Sequence, residues 1–454
     1  MPQTIAARRP VPLRPILLAA LILLADTLFW TAAPGLSFPL FIVTLAAAAE
    51  QAFPGRRDPL GWTILVLCLL PSVDLVQHLS VAFALAGLAT FCLRRLTRAG
   101  ADLRTMLRHF PGFLAARTIL DGMILAQDRS DLGQRSLRGL VLWIGPVLLS
   151  VIFLILFIAA NPVLEATLDR LLSKPSLAFP NPARFFFWAM LALALWPLLR
   201  LSALADAATL PPPLPARPFL SAAVAIRCLA LFNLVFALQT GLDLAYLSGG
   251  VSLPDGISYA TYARRGAYPL LVAALLAGGF ALLTQPHLHH GTIRTLLLFW
   301  IAQTVFLVLS SILRLDLYVD AYGLTRLRFA AFLWMGVTAT GLGLMVWQIA
   351  ARKPMDWMLV RAGAVALVTL YAASLTNVAG VIARHNLAQD RPPDIAYLCR
   401  LGDGAKPALA AWSRSRGRPP CDALHIPAPQ DWREWGYRNH RLRNSLTEIT
   451  GARP

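Results

Sequence analysis

Long apolar segments, separated by short polar connections, make up most of the chain as far as about residue 384. Many of them approach the roughly 18 to 20 residues that a helix needs to cross the 30 Å hydrocarbon core of a bilayer. Most are apolar on all sides, whereas a helix of a soluble protein shows one apolar face. The pattern therefore predicts an all-α fold, a polytopic transmembrane helical bundle.

We predict about 11 spans. The third and fourth are short and adjacent, so either both cross or together they form a re-entrant hairpin. The first resembles the apolar part of a signal peptide, but it carries Asp26 and many spans follow, so we interpret it as an uncleaved helix. The predicted spans cover residues 15–32, 36–52, 60–77, 79–93, 138–160, 184–204, 219–246, 267–285, 293–314, 328–350 and 357–384.

Lys and Arg in short loops resist translocation, and their distribution favours a cytoplasmic N-terminus. An odd number of spans then places the C-terminal tail in the periplasm. The expected organisation comprises N-terminal membrane spans (1–93), a basic amphipathic cytoplasmic connection (94–137), a membrane core (138–384) and a polar C-terminal tail (385–454). The expected location is the cytoplasmic (inner) membrane of a bacterium.

Composition supports a membrane location. The 454 residues are 57% hydrophobic and only 14% charged, which argues against a soluble enzyme. The net charge of +18 is spread over many connections. We therefore expect the bilayer and its anionic lipids as partners, and no nucleic acid.

One polar stretch, "SSILRLDLYVDAYGLTRLR" (Ser310–Arg328), lies between the ninth and tenth spans. The loops "AANPVLEATLDRLLSKP", "SLPDGISYATYARRGAY" and "ARHNLAQDRPPD" open on the same predicted outer side. On a helix, Asp316 and Asp320 would share one face, Gly323 would permit a turn, and Arg326 and Arg328 would begin the next span.

Two interpretations of this outer-face polar cluster remain open. Its arginines can bind a carboxylate or phosphate and its aspartates can carry protons or hold a cation, or the aspartates and arginines pair with one another across the helix turn. The candidate ligand-binding residues are Arg314, Asp316, Tyr318, Asp320, Tyr322, Arg326, Arg328, Tyr259, Tyr262, Arg264, Arg265, Asn161 and His385.

The cysteines fall into two groups. Cys68, Cys92 and Cys228 lie in apolar segments and are expected to be small buried hydrophobes. Cys399 and Cys421 lie in the polar tail, where an oxidising compartment could join them in a disulfide.

Ionisable residues also lie within or near the ends of apolar runs, where they are functional candidates unless they snorkel or neutralise one another. These residues are Asp26, Asp74, Arg227, Asp243 and Arg361.

We predict no catalytic residue, no metal site and no cofactor. The sequence "PHLHH" supplies His287, His289 and His290, but one short turn seldom gives three imidazoles the geometry that zinc needs. Phosphate-binding glycine loops and the sequence motifs of zinc proteases and serine hydrolases are missing. An enzymatic role is therefore not favoured.

The segments "ANPVLE", "YATYARRGAYPLLVAALL", "SSILRLDLYVDAYGLTRLRFAAFLWMG" and "LTNVAGVIARHNLAQ" together resemble a family of bacterial integral-membrane proteins. The family is the domain of unknown function 4173, with the sibling group 4153, and the likeness runs from about residue 139 to about 405. The resemblance implies a bacterial inner-membrane protein. The family has no established activity, so it implies no mechanism.

The function expected from these observations is transport, or handling of a lipid or another anionic ligand, through the outer-face polar cluster. The alternative is a non-catalytic membrane sensor or assembly partner of a signalling system. A membrane enzyme acting on a lipid-linked substrate would need a carboxylate or a histidine aimed into a cavity.

Overall fold

The computed structural model describes residues 13–51, 58–98, 182–200, 222–247, 278–281, 284–416, 421 and 424–451. Over these residues the chain is helical and contains no β-strand. It divides into two compact units. Unit 1 comprises Met1–Pro212 with Pro429–Gly436, and unit 2 comprises Pro213–Ala428 with Tyr437–Pro454.

In unit 1 the helices surround an apolar core of alanine, leucine and phenylalanine side chains. Phe91, in the last of the first four helices, is fully buried and packs edge-on against Trp62, with ring centroids 5.0 Å apart. The helices of the described part of this unit are α1 (Leu13–Phe29), α2 (Ser37–Glu50), α3 (Pro59–Asp74), α4 (His78–Arg98) and α5 (Pro182–Leu199).

Two buried carboxylates of unit 1 are held by arginine. Asp26 of α1 accepts hydrogen bonds from the guanidinium of Arg184, 2.8 Å from Oδ1, and from the indole of Trp188 at 2.9 Å. Asp58, before α3, accepts two bonds from Arg94 at 3.0 and 3.2 Å. Because an unpaired buried charge would be strongly destabilising, these contacts give both carboxylates a structural role.

Unit 2 contains the longest helix of the described chain. This helix, α7, has 32 residues and a length of about 48 Å, so it extends beyond a hydrocarbon core of roughly 30 Å. The rings of Phe232, Phe236 and Phe280 each contact the ring of Trp300. The helices described in this unit are α6 (Ala222–Leu247), α7 (Gly291–Tyr322), α8 (Arg326–Ala350), α9 (Met355–Leu375), α10 (Val378–Leu387), α11 (Ile395–Cys399), α12 (Lys406–Arg416) and α13 (Tyr437–Thr450).

Within the part of the chain that the structure describes, four helices are long and apolar enough to cross a membrane, namely α7, α8, α9 and the His78–Leu96 part of α4. Shorter apolar helices cover Ser37–Glu50, Pro59–Asp74, Ala183–Leu199 and Ala222–Leu238. Helices thus lie at most of the predicted span positions, and the all-helical fold is confirmed. The number of spans is not confirmed, since 138–160 and most of 267–285 lie outside the described residues.

Two helices differ in extent from the predicted spans. The ninth predicted span ends at about residue 314, and α7 continues beyond it to Tyr322. The eleventh was expected to run unbroken over 357–384, but α9 ends at Leu375 and α10 starts at Val378. The break has a local cause, because the Asn377 side chain accepts the backbone N–H of Gly380 and caps the new helix.

The C-terminus of α7 is held by arginine side chains. Arg391 donates to the Asp320 carbonyl at 3.1 Å, and Arg328 donates to the carbonyl of Gly323. The last carbonyls of a helix have no partner within it and carry partial negative charge, so a guanidinium there is doubly favourable. These contacts join the end of α7 to α8 and to the segment after α10.

The turn after α7 is clamped by a buried amide. The Asn386 side chain accepts the Leu324 N–H at 2.7 Å and donates to the Leu324 carbonyl at 2.9 Å. Gly323 precedes it with φ of 83°, a conformation that L side chains rarely adopt. A Cβ at this position would lie 2.5 Å from the Arg391 guanidinium.

An arginine side chain also holds the end of α9. Arg438 of α13 is buried and donates to the carbonyls of Ser374 at 2.8 Å and Thr376 at 3.2 Å. The polar C-terminal segment is therefore folded onto the helix ends of unit 2.

In unit 1, residues 429–436 pack on the connection between α1 and α2. The Gly35 and Leu36 N–H groups donate to the carbonyls of Arg433 and Trp435 at 2.9 and 2.8 Å. The Arg433 guanidinium donates to the Thr27 carbonyl near the end of α1 at 2.5 Å. The Arg433 backbone N–H, with the guanidinium of the same residue, holds the pKa of Asp431 below its usual value.

Replacing Arg438 by Met would remove two charge-assisted hydrogen bonds and leave two carbonyls without their partner. At roughly 1.5 kcal/mol for each bond, we expect a loss of about 3 kcal/mol in unfolding free energy, and a smaller loss for Arg438→Lys. Thermal unfolding in detergent measures the difference. Arg414→Met is the control, because Arg414 is exposed on α12 and forms no hydrogen bond with the described residues. Equal melting temperatures for the two Met variants would show that the bonds from Arg438 to the end of α9 do not stabilise the protein.

Gly323→Ala would place a methyl group against Arg391 in a left-handed backbone, at a cost of about 1 to 2 kcal/mol for the backbone alone. The matched control is Gly336→Ala within α8, where a Cβ meets no atom within 4 Å. Helix propensity predicts a gain of about 0.5 to 1 kcal/mol for the control. The measured quantity is the melting temperature in detergent, and a stabilised Gly323→Ala variant would contradict the turn described above.

Candidate functional site

The arginines of the motif Ser310–Arg328 contact backbone carbonyls and an aromatic ring. Arg326 donates from its guanidinium to the Leu401 carbonyl at 2.5 Å. Arg328, bonded to the turn, lies over the Tyr318 ring with its guanidinium carbon 4.1 Å from the ring centroid. Tyr318 in turn contacts Tyr322, with centroids 5.0 Å apart. These groups form a structural layer at the end of α7.

The aspartates of the motif do not pair with its arginines. Asp316 and Asp320 are exposed, and neither carboxylate forms an ion pair with any residue that the structure describes. Arg314 is buried on the opposite side of the helix. The pairing interpretation therefore finds no ion pair of Asp316 or Asp320 among the described residues, and Arg314 and Asp316, two apart on the helix, do not face each other.

The remaining candidates of the outer-face polar cluster are not brought into this layer. His385 is exposed on α10, with Nε2 3.2 Å from the Gln389 amide nitrogen. The other candidates lie outside the described residues: Tyr259, Tyr262, Arg264, Arg265 and Asn161.

Asn377 and Asn386 hold helix ends together, and neither was predicted as a functional residue from the sequence. Asn386 is buried and clamps the turn after α7, and Asn377 joins α10 to the Gly404 carbonyl at 2.8 Å. A capping signal was readable in "LTNVAG", since Asn is favoured at a helix start. No local pattern marks Asn386, whose partner is 62 residues away.

A cavity of about 380 Å³ lies beside the junction of α9 and α10, and we call it the tail pocket. Its charged residues are Arg384 of α10 and Arg441 of α13, and no carboxylate lines it. Neither guanidinium forms an ion pair with a described residue. The lining residues are Leu375, Thr376, Asn377, Val381, Arg384, Gly404, Pro407, Ala408, Arg441, Leu442 and Ser445.

The chemistry of the tail pocket suits an anion. Arg384 and Arg441 provide positive charge. Thr376 and Ser445 line the same space, and their hydroxyls donate to the Ala372 and Arg441 carbonyls. Arginine binds carboxylate and phosphate through paired hydrogen bonds. A volume of this size accommodates a small organic anion or a lipid headgroup.

The segment next to the tail pocket is covalently closed. Cys399 at the end of α11 forms a disulfide with Cys421, with Cα atoms 5.9 Å apart. Cys92 is buried, and Cys68 and Cys228 are half-buried; these three carry free thiols.

The histidines of "PHLHH" lie at the other end of α7. His289 and His290 have ring centroids 4.1 Å apart, and His287 lies more than 6 Å from both. Among the described residues, no group of three potential ligands is placed to hold a metal ion.

Comparison with known proteins gives a family and no relative of assigned function. No curated protein and no solved structure matches the chain. Residues 18–411 match the family described as Domain of unknown function (DUF4153), the sibling group expected from the sequence, and the 4173 assignment is not confirmed. The match includes the N-terminal spans and most of the motif-bearing core, so the chain belongs to the DUF4153 family.

Proposed function

We propose that the protein is a multi-pass protein of the bacterial inner membrane, with about eleven spans, that recognises an anionic ligand or lipid headgroup at its outer face. The biological role would be transport or lipid handling. Support for a membrane location comes from the long apolar helices α7, α8 and α9.

The proposed orientation has the N-terminus in the cytoplasm and the tail in the periplasm. In unit 1, residues 429–436 pack on the α1–α2 connection, whereas Arg94 and Arg95 lie at the far end of α4, close to Asp58 and Glu50. Arg94 and Arg95 thus lie at the end opposite the tail, as the positive-inside rule favours for a cytoplasmic end, whereas Arg184 and Arg433 at the tail end are paired with Asp26 and Asp431. The disulfide between Cys399 and Cys421 also favours an oxidising compartment.

The observation that carries the proposal is the tail pocket. Arg326 and Arg328 of the family motif are engaged with carbonyls, which leaves them poorly available to a ligand. Arg384 and Arg441, in contrast, line a cavity with no carboxylate to neutralise them. The proposed ligand site is therefore the tail pocket beside the junction of α9 and α10, and not the motif itself.

The alternative role, a sensor or assembly partner, draws support from the exposed aromatic residues of the C-terminal segment. Trp432 is 55% exposed and Tyr437 is 48% exposed. A protein partner could dock on such side chains, and Trp432→Ala would then lose the partner without affecting ligand binding.

Anion binding is tested by the melting temperature of the full-length protein in detergent, titrated with glycerol 3-phosphate and, separately, with glycerol. A ligand at 100 times its Kd stabilises the folded state by about 2.7 kcal/mol. We expect stabilisation by glycerol 3-phosphate alone, and its loss in Arg384→Gln and Arg441→Gln. Unchanged stabilisation in both variants would contradict the proposal.

Arg414→Gln is the matched control, because it removes one exposed arginine from α12 and leaves the pocket lining unchanged. We expect it to respond to glycerol 3-phosphate as the wild type does. If all three variants lose the response equally, the effect reflects net charge and the pocket is excluded as its cause.

A further inference from the structure

A second cavity lies at the end of α7 opposite the family motif, and we call it the basic pocket. Its volume is about 740 Å³, about twice that of the tail pocket. It is formed where α7 begins, where α8 ends and where the short helix Gln285–His287 packs beside them. The lining residues are Gln285, Leu288, His289, Gly291, Arg294, Gln348, Ile349, Arg352, Lys353 and Met355.

The basic pocket carries concentrated positive charge. Arg294, Arg352 and Lys353 line it together with His289, and no carboxylate does. Within the described residues, none of the three permanent cations forms an ion pair, including with Asp356 near the rim. Like charges this close repel one another in the empty site, so an anion in the cavity would relieve that repulsion.

A rigid amide pair supports these cations. Gln285 and Gln348 lie with each amide nitrogen 3.2 Å from the other's oxygen, and the Gln348 amide also donates to the Lys353 carbonyl at 2.9 Å. Gln348 is only 3% exposed. Arg294 is fixed by a bond to the Ala350 carbonyl at 3.2 Å. The part of the protein that carries these cations is therefore held in place by hydrogen bonds before any ligand binds.

Arg352 occupies a backbone position that usually belongs to glycine. Its φ is 49°, and within the described residues it is the one non-glycine residue with positive φ. The Lys353 N–H donates back to the Gln348 carbonyl at 2.9 Å, the bond that closes a Schellman motif. Arginine is less stable than glycine in this conformation, and an outlier of this kind is a reason to seek a function for its side chain.

An apolar groove lies on the exposed side of α8, at the end of the helix that leads to Arg352. It has a volume of about 330 Å³ and is lined by Gly343, Val346, Trp347, Ala350 and Ala351, the last of which directly precedes Arg352. Trp347 is 63% exposed, as is typical of tryptophans at a membrane interface. A Cβ at Gly343 would meet no atom within 4 Å, so the groove is open along the helix.

We propose that the basic pocket binds the phosphate of an anionic phospholipid from the cytoplasmic leaflet, with an acyl chain lying in the groove of α8. Arg352 and Lys353 neutralise the phosphate, and Arg294 adds positive charge while it stays bonded to the Ala350 carbonyl. His289 and Gln285 line the space for a glycerol headgroup. Basic pockets between helices on the cytoplasmic side are typical sites for such lipids. The apolar groove favours a lipid over a free phosphate, because a soluble phosphate would leave it unfilled. This site is separate from the tail pocket, and its assignment to the cytoplasmic leaflet rests on the orientation proposed above.

The test is native mass spectrometry of the full-length Arg384→Gln/Arg441→Gln variant in detergent, in which the tail pocket lacks its two cations, titrated with dioctanoyl phosphatidylglycerol. Parallel titrations use dioctanoyl phosphatidylcholine and glycerol 3-phosphate. We expect phosphatidylglycerol to bind at least tenfold more tightly than either. Equal binding of phosphatidylcholine would show that charge is not recognised, and tighter binding of glycerol 3-phosphate would show a site for free phosphate; either result overturns the proposal.

The double variant Arg352→Gln/Lys353→Gln should weaken phosphatidylglycerol binding by at least tenfold. The matched control in the same background is Arg400→Gln/Arg414→Gln, which removes two exposed arginines that line neither pocket and should retain this lipid. Equal weakening in both double variants would contradict a specific site at the start of α7.

Arg352→Gly separates binding from folding. Glycine suits the positive φ, so the lipid-free variant should melt at a higher temperature than the wild type while it binds phosphatidylglycerol less tightly. Trp347→Ala should weaken binding of dioctanoyl phosphatidylglycerol and leave binding of glycerol 3-phosphate unchanged. A variant Arg352→Gly that binds the lipid as the wild type does would remove the residue from the site and overturn the proposal.

Discussion

The carbonyl groups at the ends of the bundle helices need hydrogen-bond donors, and the arrangement of unit 2 depends on how this need is met. The last four carbonyls of any helix lack partners within it, and close to a bilayer water is a limited substitute. Here the donors are guanidinium groups and side-chain amides from distant parts of the sequence. Arg391 and Arg328 act at α7, Arg438 at α9 and Arg294 at α8. Each such contact satisfies a carbonyl and places a positive charge at the negative end of a helix dipole.

The need to pair these carbonyls explains why so hydrophobic a chain keeps arginines beside its apolar segments. The arginines and lysines of unit 2 can be divided into two kinds. One kind is engaged in capping, and its loss is expected to reduce stability. The other kind lines cavities without a carboxylate partner, as Arg384 and Arg441 do at one end of unit 2 and Arg352 and Lys353 do at the other. The two cavities share a chemistry, positive charge without neutralisation, and differ in their surroundings. An apolar groove lies at the end of α8 that leads to Arg352 of the basic pocket.

The sequence predicted the helices well and their ends less well. All-round apolarity is a local property, so the helical fold and most span positions could be read from it. The continuation of α7 to Tyr322 and the break at Asn377 depend on side chains that cap helix ends, which hydropathy does not register. The motif Ser310–Arg328 identified the family at the level of the sibling group, yet its arginines proved to be structural. The tail pocket could not have been predicted, because Arg384 and Arg441 are far apart in the chain and meet only after α13 folds back.

The account requires that the two ends of unit 2 face opposite sides of the membrane, with the folded C-terminal segment outside. The most direct measurement is labelling of single cysteines by a membrane-impermeant maleimide, in a protein whose Cys68, Cys92 and Cys228 are replaced by alanine. Glu448→Cys on α13 and Thr292→Cys at the start of α7 are suitable, since both positions are exposed. Glu448→Cys should react in intact cells with a permeabilised outer membrane, and Thr292→Cys only after the inner membrane is broken. Reaction of both cysteines from the same side would contradict the account.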